Sequence, residues 1–293
     1  MATAAQWIQG ARLRTLPAAI APVLIGSAAA YEMDSFILLN AVLAALVALL
    51  LQIGVNYAND YSDGIRGTDE DRVGPLRLVG SGAAKPEHVK RAAFGAFGLA
   101  MMFGLILVII TQAWWLILVG IGCVLAAWGY TGGKNPYGYL GLGDVFVFVF
   151  FGLVATLGTT YTQAGQLSLA AIIGAIGTGL IACALLMANN VRDIPTDRRA
   201  GKKTLAVRLG DKHARESYVL MLAVAILLVI VLAPVRPWML IVLLLVPASL
   251  MPSWLMIAGR RRKSLIPVLK QTGLINLGFA ALFSLGLVLS HGF

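Results

Sequence analysis

The sequence predicts an all-α integral membrane protein: nine transmembrane helices around a central cavity, N-terminus cytoplasmic and C-terminus outside. Three observations predict it. Hydrophobic residues make up 59% of the chain and charged residues only 12%, where a soluble domain carries about 25% charged residues. Apolar runs close to the length that crosses a bilayer, about 20 residues, recur along the chain at 16–33, 36–58, 92–110, 113–130, 141–161, 167–188, 217–234, 237–257 and 271–290. With the N-terminus inside, these runs put 22 of the 23 Lys and Arg on one side and leave only Arg236 on the other, which is the positive-inside pattern.

That topology accounts for the net charge of +10 without nucleic acid as a partner. Anionic lipid and anionic substrate remain. The first run imitates a secretory signal, with Arg12 and Arg14 ahead of an apolar stretch and Ser27-Ala28-Ala29-Ala30 behind it. Cleavage there would invert the sidedness of the remaining eight spans, so the segment is expected to stay as the first helix. Arg12 and Arg14 either orient that helix or bind a substrate carboxylate. Cys123 and Cys183 lie within spans and read as small apolar residues. His88, His213 and His291 are too scattered for a metal site.

The second span runs into the most acidic stretch of the chain. Asp60, Asp63, Asp69, Glu70 and Asp71 are five of the thirteen acids, within twelve residues. Two carboxylates about 6 Å apart repel by roughly 3 kcal/mol at an effective dielectric near 20, so the cluster needs cations. If the helix continues through Asp63, Asn56, Asp60 and Asp63 share one face at i, i+4 and i+7. Two readings stand at this point. Such oxygens suit Mg2+ completed by phosphate oxygens, or they form a solvated loop laced with Arg66 and Arg72.

Between the fourth and fifth spans, Tyr130-Thr131-Gly132-Gly133-Lys134 leads through Gly138-Tyr139 to Asp144, with Lys134 the only cation. Tyr130 is expected to line the cavity. Asp144 opens the fifth span, where an acid either faces the bundle interior or caps the helix.

Two inner connections are expected to be long, 59–91 and 189–216, and their motif loops, 56–91 and 189–216, form a weak internal repeat within one polytopic domain spanning 1–293. Ala58-Asn59-Asp60-Tyr61-Ser62-Asp63 aligns with Ala188-Asn189-Asn190-Val191-Arg192-Asp193. Four spans separate the copies, so both meet the membrane on the same side and can build one site at a repeat interface. Asn190, Asp193 and Asp197 again share a face, with a kink or helix end expected near Asp193 because of Pro195. Two matched acidic clusters favour a metal–diphosphate site over solvated loops. Arg72 and Arg77 accompany the first, and Arg192, Arg198, Arg199, Lys202 and Lys203 the second; some should neutralise a diphosphate. Arg198, Arg199 and 260–263 read as membrane anchors. The last three spans carry no motif and read as packing and as wall for a lipid-like substrate.

Asn59-Asp60-x-x-Asp63 with Asp69, and Asp193-x-x-x-Asp197, on nine spans, resemble the UbiA-type intramembrane aromatic prenyltransferases. Arg12-x-Arg14-Thr15-Leu16-Pro17-Ala18, Asp71-Arg72-Val73-Gly74-Pro75-Leu76-Arg77 and Gly138-Tyr139-Leu140-Gly141-Leu142-Gly143-Asp144 are most similar to the 1,4-dihydroxy-2-naphthoate prenyltransferases of menaquinone synthesis. The resemblance implies that Asp60, Asp63, Asp193 and Asp197, supported by Asn56 and Asn190, hold two Mg2+ ions bridging the diphosphate of a polyprenyl diphosphate. It implies Arg72, Lys134, Arg192 and Lys202 on the diphosphate, and Tyr130 against the allylic cation. Arg12, Arg14, Asp144 and Tyr139 are assigned to the naphthoate acceptor, which loses CO2. It further implies a bacterial inner membrane with the site on the cytoplasmic face. Asn190 stands where the first copy has Asp60, so the clusters need not hold metal equivalently. A 4-hydroxybenzoate prenyltransferase is the nearest rival. A secondary transporter would carry its polar residues near mid-membrane, whereas here they gather at the inner ends of the spans.

Overall fold

A computed structural model of the chain describes residues 2–67 and 76–291, apart from the Arg14 side chain. Among the described residues it is helical, with no strand. The short helix α1 (Ala4–Ala11) starts from a capping box, in which the Thr3 hydroxyl accepts from the Gln6 amide and the Gln6 side chain accepts from the Thr3 amide. Arg12 ends it in the left-handed conformation, φ 54°. There follow α2 (Pro17–Glu32), α3 (Leu38–Ile65), α4 (Pro86–Thr111), α5 (Leu116–Gly129), α6 (Gly143–Ala164), α7 (Leu169–Arg199), α8 (Leu205–Leu232), α9 (Pro237–Ile257) and α10 (Arg262–Ser290). Seven of these, α3, α4 and α6 to α10, are long and apolar enough to cross a membrane. The apolar helices α2 and α5 are shorter, at 16 and 14 residues.

Helix α7 is the hub. In its most apolar stretch 67% of residues are buried, against 22–44% in the other long helices. Small residues make that possible, because without large side chains backbones approach closely. A Cβ on Gly177 would stand 2.3 Å from the Phe279 ring of α10. A Cβ on Gly152 of α6 would stand 2.7 Å from the Gly179 Cα. The same stretch of α6, Phe148–Val154, is wound as a π-helix, a wider turn that shifts the facing of Phe150 and Phe151, which line the cavity.

The structure differs from one expectation of the sequence. The second motif is helical rather than looped: α7 runs through Pro195 to Arg199, and α8 begins at Leu205. Pro195 is exposed, so the one backbone bond it forfeits lies on the side where its loss costs least. Arg236, at the pole away from the two acidic motifs, forms an ion pair with Glu32 at the end of α2.

Close approach at α7 is testable. Gly177→Ala is expected to destabilise the protein by about 1–3 kcal/mol through overpacking, read as a lower thermal midpoint in detergent. Gly95→Ala, where a Cβ meets nothing within 4 Å, is expected to be neutral or slightly stabilising, since Ala favours helix over Gly.

Candidate functional site

The helices surround a partly open cavity of about 2340 Å³. Its walls are mostly apolar, drawn from α2, α4, α5, α6 and α10, and one end is polar. There the last turns of α3 and α7 bring Asn59, Asp63, Asn189, Asn190, Asp193 and Asp197 to the same wall. Both motifs are helical at these residues, so their side chains emerge on single faces aimed inward.

Asp63 is the best-connected acid. It is 5% exposed, accepts from the Tyr139 hydroxyl at 2.6 Å, and pairs with Arg77 and Lys202 at 3.3 Å each. Lys202 also lies 4.4 Å from the centre of the Tyr139 ring. Burial opposes the Lys202 charge, but Asp63, Tyr139 and Asp197 outweigh it and raise its pKa. Burial and the Asp63 carboxylate raise the Tyr139 hydroxyl, which therefore stays protonated and donates. In the second motif Arg192 clamps Asp193 with two bonds of 2.7 and 2.6 Å.

Several expected site residues sit elsewhere. Asp60 is 1% exposed and does not line the cavity; its oxygens accept the Leu78 and Val79 amides at 2.7 and 3.0 Å, fixing the chain beyond α3. Asp60 and Asp63 lie only about 60° apart around α3; what separates them is that the Leu78 and Val79 amides take the Asp60 carboxylate and Asp63 is left on the cavity wall. Asn56 does reach the cavity, but its amide donates to the Ala11 carbonyl and the Thr15 hydroxyl, both at 2.9 Å. Lys134 is exposed and outside the cavity wall, beyond the left-handed turn at Gly133, φ 77°. Asp144 occupies the first turn of α6, not its cap, and does not line the cavity; neither carboxylate oxygen finds a hydrogen-bond partner among the described residues. Arg72 and the Arg14 side chain lie outside the described residues, as do Asp69 and Asp71. Tyr130, Tyr139, Arg12, Asn190, Arg192, Asp193, Asp197 and Lys202 line the cavity.

Sequence reasoning gave no site role to Asn59, Arg66, Thr15 or Gln52. A signal existed for Asn59: the internal alignment pairs it with Asn189, and both line the cavity. Asn59 accepts from the Thr131 hydroxyl at 2.8 Å. Arg66 donates to the carbonyls of Thr131 and Gly133. Together they tie the end of α3 to the loop that carries Tyr130 and Tyr139.

The donor set of the acid pole is carboxylate and amide oxygen, the chemistry of Mg2+ rather than of softer metals. Among the described residues no three His, Cys, Asp or Glu side chains gather closely enough to hold a metal alone. A cation here would need ligands from a bound anion as well, and Arg77, Arg192, Arg199 and Lys202 around the same wall fit an anion.

The pattern of the UbiA prenyltransferase family matches residues 19–277. The chain is 52% identical to a 1,4-dihydroxy-2-naphthoate octaprenyltransferase of Mycobacterium tuberculosis, over 96% of each chain. It is 43% identical to the Escherichia coli protein of that name, over 74% of this chain and 72% of that one. Among solved structures, the apo form of a UbiA homolog from Aeropyrum pernix superposes with a TM-score of 0.70 at 17% identity, covering 92% of this chain and 97% of that one. A UbiA homolog from Archaeoglobus fulgidus bound to DMAPP and Mg2+ gives 0.68 at 16% identity, covering 97% and 99%.

The two acids of the first motif are expected to separate by experiment. Asp60→Asn should speed hydrogen exchange at the Leu78 and Val79 amides and lower the thermal midpoint, with a loss of about 1–3 kcal/mol. Asp63→Asn should leave exchange at those two amides unchanged.

Proposed function

The chain belongs to the UbiA prenyltransferase family, and from that premise we propose that it transfers a polyprenyl group from polyprenyl diphosphate to 1,4-dihydroxy-2-naphthoate. CO2 and diphosphate leave, and the product is a demethylmenaquinol. The observation that carries this reading is a single cavity with an acid-and-base pole at one end and a long apolar remainder. That is the shape of a prenyl diphosphate, and the relatives named for the naphthoate reaction cover nearly the whole chain.

In this reading Asn59, Asp63, Asn190, Asp193 and Asp197 would hold Mg2+, as two ions, and Asp60 braces the first motif from behind. Mg2+ supplies charge stabilisation for the leaving diphosphate. Arg77, Arg192, Arg199 and Lys202 share that charge from the protein side. To do so, Arg77, Lys202 and Arg192 exchange the Asp63 and Asp193 carboxylates they pair with in this structure for phosphate oxygens. The bond from the prenyl C1 to oxygen breaks with its electron pair going to the diphosphate. The Tyr130 ring offers its face to the resulting allylic cation, and the apolar walls keep water from it. The ring carbon bearing the carboxylate bonds to C1, and loss of CO2 returns its electron pair to the ring. Arg12 orients the acceptor through its carboxylate. Residues 1–293 act as one domain whose two motif helices are an internal repeat. Helices α2 to α10 form nine spans in the bacterial inner membrane, with the acid pole on the cytoplasmic side, as the concentration of Lys and Arg at that pole supports.

The test is a competition assay. The purified protein in lipid receives Mg2+, a long polyprenyl diphosphate, and equal 1,4-dihydroxy-2-naphthoate and 4-hydroxybenzoate. Mass spectrometry is expected to find a prenylated naphthoquinol lighter by CO2; a prenylated hydroxybenzoate that keeps its carboxylate would overturn the acceptor assignment. EDTA should stop turnover and Mg2+ restore it. Asp63→Asn and Asp193→Asn should each lower turnover by about 10²–10³-fold, the cost typical of losing one group that stabilises developing charge.

A further inference from the structure

Gln52, Asn56, Asn59 and Asp63 follow one another at i, i+4, i+7 and i+11 along α3, and all line the cavity. Asn59 and Asp63 belong to the acid pole. Gln52 lies about 10 Å further along the helix axis than Asn59, at 1.5 Å per residue. Glutamine within an apolar run needs partners, because an unsatisfied buried amide costs free energy. Its partners are on the strained turn after α1, where Arg12 has φ 54°.

The hydrogen bonds there run in one direction. The Thr15 hydroxyl donates to the Arg12 carbonyl at 2.9 Å, so toward Gln52 and Asn56 it can only accept. It accepts from Gln52 Nε2 at 3.1 Å and from Asn56 Nδ2 at 2.9 Å. Asn56 Nδ2 also donates to the Ala11 carbonyl at 2.9 Å. The Asn56 oxygen is therefore the acceptor facing Gln52 Nε2, at 3.4 Å. Both amide orientations follow from the single proton of Thr15. The NH2 of Gln52 is spent, and its Oε1 is left without a donor among the described residues. Gln52 is 7% exposed, so water does not readily serve that oxygen. Arg12, whose carbonyl takes the Thr15 proton, has its Nη2 likewise buried with no acceptor among the described residues.

One cationic donor and one neutral acceptor, linked through Thr15 and unsatisfied together, match an acid with a hydroxyl next to its carboxylate. Resting on the acceptor class proposed above, we infer that Gln52 is a specificity-determining residue. Its Oε1 accepts the ring hydroxyl ortho to the acceptor carboxylate while Arg12 takes that carboxylate. Thr15 and Asn56 are positioning residues that keep the Gln52 oxygen turned to the ligand. An acceptor without the ortho hydroxyl, such as 4-hydroxybenzoate, leaves that oxygen unpaired. A site built to bond a hydroxyl discriminates strongly against an analogue lacking it.

The test measures binding, so it does not depend on turnover. The full-length protein in phosphatidylcholine nanodiscs, with EDTA present, is titrated calorimetrically with 1-hydroxy-2-naphthoate and with 2-naphthoate. The wild type is expected to prefer the hydroxy acid by about tenfold, the value of one well-made hydrogen bond. Gln52→Leu should reduce the preference to less than about twofold. Gln52→Glu, which keeps an acceptor oxygen but adds charge, should weaken both acids and retain the preference. Arg12→Gln should weaken both alike. A wild type without preference, or binding neither acid, overturns the assignment. So does a preference unchanged in Gln52→Leu or, should that variant not fold, in Gln52→Met. Prenyl transfer to the naphthoate with no hydroxyl preference would leave the proposed function standing and this inference overturned. A preference erased at Gln52 without prenyl transfer would do the reverse.

Discussion

A carboxylate buried at the end of a membrane-spanning helix must be neutralised, and the neutralisation of Asp63 organises the functional end of this protein. Its partners come from separate stretches of chain. Arg77 follows the first motif, Tyr139 belongs to the loop before α6, and Lys202 lies in the turn between α7 and α8. Taking a charge out of water costs several kcal/mol unless it is paired and hydrogen-bonded. Loops that would otherwise be free at the membrane surface are thus drawn onto one acid. The same requirement makes the site responsive. Groups that neutralise Asp63 in this structure are those an anionic ligand can recruit, so its arrival trades one set of charge-assisted bonds for another.

The rest of the fold supplies a rigid frame for that pole and an apolar volume behind it. Rigidity comes from glycine-mediated contact of α7 with its neighbours, where side chains of α6 and α10 fill the places that Cβ atoms would occupy. Apolar volume comes from α4, α5, α6 and α10, whose inward residues line the cavity. The π-wound turn in α6 sits on this wall and stacks Phe146 with Phe150, with ring centroids 5.9 Å apart. Of the last three helices, expected from the sequence to wall the cavity, α10 does so, while α8 and α9 supply none of its lining residues.

Polar residues on the inner face of α3 divide by height. Near the membrane surface Asn59 and Asp63 face the charged pole; deeper, Asn56 and Gln52 enter a neutral network with the turn after α1. Amides and a hydroxyl there satisfy one another and leave the Gln52 oxygen without a donor among the described residues. The division suits a reaction whose charged leaving group stays at the surface while its aromatic partner sits further in.

Sequence alone settled the class of this protein, because hydrophobic runs and the sidedness of Lys and Arg are consequences of bilayer physics that need no tertiary contact. It also located the two acidic motifs and, through their internal alignment, the pairing of Asp63 with Asp193. What it did not decide is which members of each motif face inward. Asp60 and Asp63 carry the same chemistry, yet the backbone amides of Leu78 and Val79 claim one and the cavity receives the other. Lys134 was legible as a lone cation in a tyrosine-rich loop, but the turn at Gly133 leaves it exposed, and Lys202 reaches Asp63 from a turn far away in the chain. Gln52 was one polar letter in an apolar run until the fold set Thr15 against it. Composition and periodicity report what every residue prefers by itself. Which of two equivalent side chains is left for a ligand depends on the partners the folded chain assigns, and only the tertiary structure makes that assignment.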